Sequence, residues 1–209
     1  LKETEPKLIT HSEFKKLFEV TKTMKEDLQF DIVATKAAAY VRAYKRSRAE
    51  FASAALTSAA KTFTYGSKTG LDSTTADGLA LFDKAPTGLT GVATQSNVFT
   101  NAFGNDDAML NRLANIGMNF KNATGHVMGY TFDTLIVPGN AYRLITLGKK
   151  IINSDQQVGS SYNDVNVNKG IWKLVVDHHW QAADGTEPYI IMSSQANKDL
   201  MGSMFYDRT

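Results

Sequence analysis

The sequence contains no cysteine, which excludes disulfide bonds, thiolate metal sites and a cysteine nucleophile. It also lacks any apolar run near the roughly 18 residues that a membrane-spanning helix needs, so we expect no membrane partner. Charge of neither sign dominates, because a formal net charge of +2 is too small to indicate nucleic-acid or membrane binding by itself. No charged and then apolar leader follows Leu1, which does not favour secretion, and the missing initiator Met indicates a fragment or a processed chain.

Motifs of the common catalytic and nucleotide-binding folds are missing as well. There is no G-x-S-x-G nucleophile elbow, and neither G-x-x-x-x-G-K-[ST] nor G-x-G-x-x-G occurs. We therefore predict no catalytic residue and no cofactor-binding residue, and we do not expect an enzyme.

Two adjacent histidines are the sharpest candidate for a metal site, in the stretch NDVNVNKGIWKLVVDHHW at 163–180. Successive side chains of a strand point to opposite faces, so His178 and His179 would not converge on one ion. The other histidines, His11 and His126, complete none of the spacings that zinc sites use. We predict a strand end with one inward and one outward imidazole and no metal; a metal-dependent hydrolase is the less favoured alternative.

The composition is that of a globular protein: 209 residues, 43% hydrophobic and 21% charged. This length suits one domain with a large insertion or two small domains. Residues 1–30 are polar and predict an arm with one helix. The alanine-rich segment 35–61 predicts a helix, because apolar residues recur on one face and Arg46 and Glu50 have the spacing of an ion pair. That apolar stripe consists of Tyr40, Tyr44, Phe51, Ala55 and Leu56.

A basic cluster lies on the same predicted helix. We favour a solvated helix face, and contact with phosphates or with an acidic neighbouring subunit stays open. The cluster comprises Arg42, Lys45, Arg46 and Arg48.

Residues 62–101 are rich in glycine, threonine and serine and have no helical period. Short β-type runs at Leu79–Phe82 and Val98–Thr100 predict an extended hairpin that needs a neighbour, since long structureless loops are uncommon in compact domains. A second helix is predicted over Asp106–Asn122, with Asn105 as its N-cap, Lys121 in its last turn and Gly125 ending it. Its apolar face comprises Met109, Leu110, Leu113, Ile116, Gly117 and Phe120.

The last third alternates between strands and a helix. Strands are predicted at Thr134–Val137, Ile171–Val176 and Tyr189–Met192, with a turn over Asn163–Gly170. Pro138 is predicted to open a helix through about Gly148, and Phe103, Phe120 and Trp172 are predicted to lie in the core. Strands and helices mixed in this way predict an α+β fold.

Three stretches in this order resemble the major capsid proteins of tailed bacteriophages, in particular the Mu-like major head subunit group with the Hong-Kong-97-type capsid fold. They are DGLALFDKAPTGLTGVATQSN at 77–97, the helix Asp106–Asn122, and TLIVPGNAYRLITLGKKIINS followed by NDVNVNKGIWKLVVDHHW. The likeness extends from about Gln29 to Trp180. Many relatives have a histidine before the proline of the loop, where this chain has Ala85–Pro86.

The resemblance implies a domain organisation. Residues 1–34 are expected to form an N-terminal arm, and 62–101 an extended loop over an adjacent subunit. Residues 35–61 and 102–130 are expected to form a peripheral domain with a long spine helix, and 131–209 an axial domain with a mixed sheet. The strand by which this family returns to the peripheral domain is missing before Thr209, and Lys68 is no indication of covalent crosslinking.

The resemblance also implies a function. Copies of such a subunit form hexamers and pentamers and close an icosahedral shell around DNA, which the inner surface contacts without sequence specificity. Scaffold protein and portal are further expected partners. The expected location is the virion, and the host bacterial cytoplasm during assembly. An encapsulin-like nanocompartment shell protein is the alternative.

Overall fold

In the computed structural model the chain divides into two compact units, Leu1–Phe82 and Asp83–Thr209. Each unit combines helices with a small sheet, so the chain is an α+β protein, as the alternation of elements predicts. The residues that the structure describes are 10, 12–15, 17, 19–27, 30–75, 78–82, 96–99, 103–104, 108–121, 125–159 and 164–196.

The first unit holds two helices and a hairpin. Helix α1 (Lys22–Glu26) begins at Thr21, whose hydroxyl accepts a hydrogen bond from the Met24 amide. Helix α2 (Phe30–Thr57) is followed by the antiparallel strands β1 (Thr62–Tyr65) and β2 (Lys68–Asp72). The predictions of a helix in the arm and of a helix over 35–61 are confirmed, although α2 begins and ends a few residues earlier than predicted.

An aromatic cluster joins the N-terminal segment to the hairpin and to α2. The Phe14 ring meets Phe51 and Tyr65 edge-on at centroid distances of 5.5 and 5.6 Å. Phe51 meets Phe63 in the same way at 5.2 Å. Lys68 reinforces the contact, because its ammonium lies 4.7 Å from the Phe14 ring centre and donates to the Glu13 carbonyl at 2.6 Å. Residues 12–15 are therefore held by one ring and one lysine.

Removal of the Phe14 ring should release this segment. We expect Phe14→Ala to lose two edge-on ring contacts and one cation–π contact, together about 1 kcal/mol because the ring is 49% exposed. Trypsin should then cleave after Lys15 roughly five-fold faster, in proportion to the increased local opening. Leu17→Ala is the matched control, because the Leu17 side chain is 84% exposed. Equal cleavage rates in the two variants would contradict the contact.

The second unit is built on a three-stranded sheet of order β4-β3-β5. Strand β3 (Thr134–Pro138) is parallel to β4 (Lys173–Asp177) and antiparallel to β5 (Ile190–Met192). Helix α4 (Tyr142–Asn153) connects β3 to β4, and helix α3 (Ala108–Met118) precedes the sheet. All five residues of β3 are buried, as expected for the central strand.

The hydrophobic core of the second unit lies between α3, α4 and the sheet. Phe103 and Trp172 belong to it, as predicted, and Phe120 is half-buried. Gly117 allows a close approach, because a Cβ there would lie 2.5 Å from the Phe132 ring. The remaining core side chains are Met109, Leu110, Leu113, Leu135, Val137, Leu144, Ile151 and Ile152.

Several predicted boundaries are wrong. Pro138 does not open a helix but ends β3, where its missing amide hydrogen costs no ladder bond, and α4 begins at Tyr142. Helix α3 ends at Met118, so Lys121 lies beyond it, and the predicted cap Asn105 lies outside the described residues.

A hairpin forms within 62–101, but from other residues than the runs predicted to form one. Its strands β1 and β2 occupy the beginning of that segment. No strand forms at the described residues of the runs predicted at 79–82 and 98–100, and only an isolated bridge joins Thr74 to Ala80. Residues 83–95 lie outside the described residues.

Candidate assembly surfaces

The paired histidines lie at the surface of the second unit. Both lie exposed in the turn that follows β4, where the His179 amide donates to Asp177 Oδ1 at 2.9 Å. The prediction of one inward and one outward imidazole is therefore wrong, because β4 ends at Asp177 and strand alternation stops with it. Within the described ranges, no group of three or more His, Asp or Glu side chains could hold a metal ion.

Gly139 explains why the chain turns at the histidines. Its amide donates to the carbonyls of Asp177, at 2.8 Å, and of Trp180, at 3.1 Å. A Cβ on Gly139 would lie 2.8 Å from the His178 Cα, so only glycine allows the two chain segments to come this close. The histidine backbone thus has a structural role at the end of the parallel strand pair.

The basic cluster on α2 is a solvent-facing surface. Arg42, Lys45 and Arg46 are exposed, and Arg46 pairs with Glu50 at 3.3 Å, as the spacing predicts. The Arg48 guanidinium lies 5.7 Å from the Tyr44 ring centre. These contacts agree with the favoured solvated helix face.

Helix α2 exposes apolar side chains too. Of its described side chains only Ser53 is buried, whereas Ile32, Val41 and Tyr44 are exposed. Tyr40, Phe51, Ala55 and Leu56 of the predicted stripe are half-buried, and the aromatic cluster accounts for Phe51. A helix whose apolar side chains stay in water gains little from burial, so these exposed side chains are candidate points of contact with another molecule.

A second exposed apolar surface lies before β4, in the sequence DVNVNKGI. Val165, Val167 and Ile171 are 78%, 63% and 61% exposed, and we call these three residues the apolar knob. The asparagines that alternate with the valines, Asn166 and Asn168, are buried. An inward amide and an outward isopropyl group thus alternate along the segment.

Asn166 holds the apolar knob in place. Its side-chain amide donates to the Ile151 carbonyl at 2.5 Å and to the Ser154 carbonyl at 2.9 Å, at the C-terminal end of α4. Its carbonyl oxygen accepts from the Asn168 amide at 2.9 Å. Carbonyl groups at the end of a helix lack hydrogen-bond donors within the helix, and the side chain of Asn166 supplies the missing donors. The sequence predicted a turn here but not this role, for which the alternation of valine and asparagine is the available signal.

A shallow, open depression of about 420 Å³ lies along one side of α4. We call it the α4 groove; it is lined by Tyr142, Arg143, Thr146, Leu147 and Lys150. Tyr142 is 78% exposed. Spacings of three and four residues place these side chains along one side of the helix, apart from Leu144 and Ile151, which face the core.

Arg143, in the lining of the α4 groove, is held by an ion pair. Arg143 Nε and Nη2 both donate to the Glu187 carboxylate, and Nη2 also donates to the Phe103 carbonyl at 3.4 Å. The hydrogen bond from Arg143 lowers the pKa of Glu187, and the pKa of Arg143 is raised for the same reason. The Asn140 side chain donates to the Ala182 carbonyl and accepts from the Ala182 amide, both at 2.9 Å. The 182–187 loop is thereby tied to the start of α4.

Asp133 anchors the chain that follows β5. Its carboxylate accepts from the Ser194 amide at 2.9 Å, from the Thr134 hydroxyl at 2.8 Å and from the Ser194 hydroxyl. Burial by itself would raise the pKa of Asp133, but the hydrogen bonds from Ser194 and Thr134 outweigh it and lower the pKa.

This lowered pKa predicts a pH-dependent contribution to stability. A carboxylate with a depressed folded-state pKa stabilises above its unfolded pKa of about 3.9, and this contribution is lost as the pH falls through the folded value. We expect Asp133→Asn to lower the free energy of unfolding at pH 7 by about 1 kcal/mol, since the group is only half-buried. The difference from the unsubstituted chain should close below about pH 4 in urea titrations. A difference that persists there would contradict the assignment, and Asp184→Asn, on the exposed loop, is the control.

Comparison with protein-family models, with curated proteins and with solved structures found no match to this chain. In the part of the chain that the structure describes, no helix is both long enough and apolar enough to cross a membrane.

Proposed function

We propose that this chain is a structural shell subunit, the major capsid subunit of a tailed phage or prophage with the Hong-Kong-97-type fold. Copies of it assemble into hexamers and pentamers of an icosahedral shell that encloses DNA. The resemblance of the three sequence stretches named above is the source of this proposal. The proposed location is then the virion, and the principal partners are other copies of the same chain.

The observation that carries the proposal is the exposure of large apolar side chains on both units. Ile32, Val41 and Tyr44 of α2 and the apolar knob contact water in the single chain. Large apolar side chains that stay exposed favour contacts between proteins, because removing them from water is favourable. A subunit completed by its neighbours needs such surfaces on several sides.

The order of elements agrees with this function. A long helix and a hairpin come first, then a second helix, and last a mixed sheet whose strands β3 and β4 are connected by α4. The resemblance implies the same order for arm, peripheral and axial domains.

Electron microscopy of the full-length protein made in its host tests the proposal. We expect closed shells that contain DNA resistant to added nuclease. Shells that contain protein cargo and no protected DNA would instead establish the nanocompartment alternative. A protein that forms no shell and carries a stoichiometric transition metal would overturn both, and elemental analysis of the same preparation gives that answer.

A further inference from the structure

The 182–187 loop carries an aspartate followed by a glycine at the surface of the second unit. Asp184 and Gly185 are both exposed. They occupy the two central positions of a turn, because the Thr186 amide donates to the Ala183 carbonyl at 3.0 Å. Gly185 has a φ of +73°, the left-handed conformation for which turns select glycine. The turn thus fixes a glycine directly after an exposed carboxylate.

An aspartate that precedes glycine is open to a reaction that most aspartates resist. The backbone nitrogen of the following residue attacks the side-chain carboxyl carbon and closes a five-membered ring. A side chain on the following residue hinders this attack, and glycine has none. A Cβ on Gly185 would meet no atom of the described residues within 4 Å, so the rest of the chain leaves room for the ring.

The other described aspartates of the second unit are less suited to this reaction. Each of them precedes a residue that has a side chain. Several of their carboxylates also accept hydrogen bonds, for example that of Asp177 from the His179 amide at 2.9 Å. The full set is Asp133, Asp155, Asp164 and Asp177. The same dipeptide occurs once more in the sequence, at 77–78, where Asp77 lies outside the described residues.

Hydrogen bonds tie the loop to the start of α4 on both sides of the dipeptide. Before it, the Asn140 side chain donates to the Ala182 carbonyl and accepts from the Ala182 amide, both at 2.9 Å. After it, Arg143 Nε donates to Glu187 Oε1 at 2.6 Å. Both ties depend on the length of backbone between Ala182 and Glu187. A change of backbone length at Asp184 therefore acts directly on them.

We propose that Asp184 is a site of isoaspartate formation, and that this modification releases the 182–187 loop from α4. The Gly185 nitrogen bonds to the side-chain carboxyl carbon of Asp184, and the carboxyl hydroxyl leaves with the amide proton as water. A water molecule then reopens the succinimide ring. Attack at the backbone carbonyl carbon leaves the chain running through the side chain, with an additional methylene in the backbone and a free α-carboxylate. The modification does not depend on the proposed function.

Ageing of the full chain in neutral buffer at physiological temperature tests the modification. An isoaspartyl methyltransferase transfers a radiolabelled methyl group from S-adenosylmethionine to the new α-carboxylate, so the label counts isoaspartate. Trypsin separates the two aspartate–glycine pairs into the peptides 69–84 and 174–198. Electron-transfer fragmentation then locates the isoaspartate within a peptide. We expect it to accumulate in 174–198 at Asp184 and not at Asp177.

Three variants show that the reaction takes the proposed course. Asp184→Asn should form isoaspartate at least about ten-fold faster, because ammonia leaves more readily than water, and Gly185→Ala about ten-fold more slowly, because the added Cβ hinders the attack. Asp184→Glu keeps the charge but would need a six-membered ring, so peptide 174–198 should lose its label completely. A label that survives Asp184→Glu, or an aged wild-type chain without isoaspartate in this peptide, would overturn the proposed site.

Hydrogen exchange of the aged chain tests the release of the loop. After acid quenching and pepsin digestion, the aspartyl and isoaspartyl forms of one peptide separate by chromatography, so both are measured in a single sample. The amides of Ala182 and Thr186 are hydrogen-bonded in the unmodified chain, and we expect them to exchange at least about ten-fold faster in the isoaspartyl form. The amides of β4 are the internal control and should exchange equally in both forms. Equal exchange at Ala182 and Thr186 would show that the loop stays attached.

Discussion

Asn166→Leu should lower the free energy of unfolding of the second unit by about 3 kcal/mol, although the two side chains have similar volume. The substitution removes two donated hydrogen bonds and one accepted bond, and it leaves the Ile151 and Ser154 carbonyls at the end of α4 without their partner. A buried polar group that loses its partner costs about 1–3 kcal/mol, and these groups share one site, so the costs do not simply add.

Urea titration followed by tryptophan fluorescence measures this loss. Both tryptophans, Trp172 and Trp180, belong to the second unit, so their emission reports on that unit alone. Val165→Ala is the control, since an exposed neighbour in the same segment should change stability by less than about 0.5 kcal/mol. An Asn166→Leu variant as stable as this control would mean that the buried amide does not hold the end of α4.

Leu144→Ala should lower the free energy of unfolding of the same unit by about 3 kcal/mol. The Leu144 side chain is fully buried in the core among α3, α4 and the sheet. Removing its three terminal carbons loses their transfer free energy and leaves a cavity that the surrounding side chains fill only in part. The same fluorescence titration measures the effect.

The control for Leu144 lies on the same helix. Lys149→Ala removes a long side chain from an exposed position of α4 and should change stability by less than about 0.5 kcal/mol. A loss below about 1 kcal/mol at Leu144 would show that the core collapses around the missing atoms. Neither substitution changes the apolar knob or the lining of the α4 groove. An effect of either substitution on the free energy of unfolding is therefore separate from any effect of these two surfaces on assembly.

Sequence patterns were sufficient to predict those elements that depend on one helix face or on one buried apolar run. The alanine-rich segment forms α2 with its Arg46–Glu50 pair, and the buried run at 134–137 forms the centre of the sheet. The same rules failed at Pro138, because a proline suits the last residue of a strand as well as the first residue of a helix. Which of the two occurs depends on the pairing with Asp177 in β4.

The candidate surfaces were harder to foresee than the elements. His178 and His179 are candidate metal ligands by residue type, but the turn around Gly139 determines where they lie. Asn166 and Asn168 look like ordinary turn residues, and their importance depends on carbonyls of α4, which only the folded chain brings near. Because Asn166 and Asn168 are buried, Val165 and Val167 lie on the exposed side of the segment. Their exposure thus depends on hydrogen bonds to the end of α4, which the sequence alone does not show.

The sheet order has a consequence for synthesis on the ribosome. Strand β3 emerges early, but Thr134 pairs with Lys173 on one edge and with Met192 on the other. Until Ile190–Met192 has left the exit tunnel, one edge of the strand that is fully buried in the folded chain has no partner. Such an edge pairs readily with other nascent chains, and neighbouring ribosomes on one message supply identical ones. The rate of translation beyond β4 therefore influences how much of the protein reaches its native state.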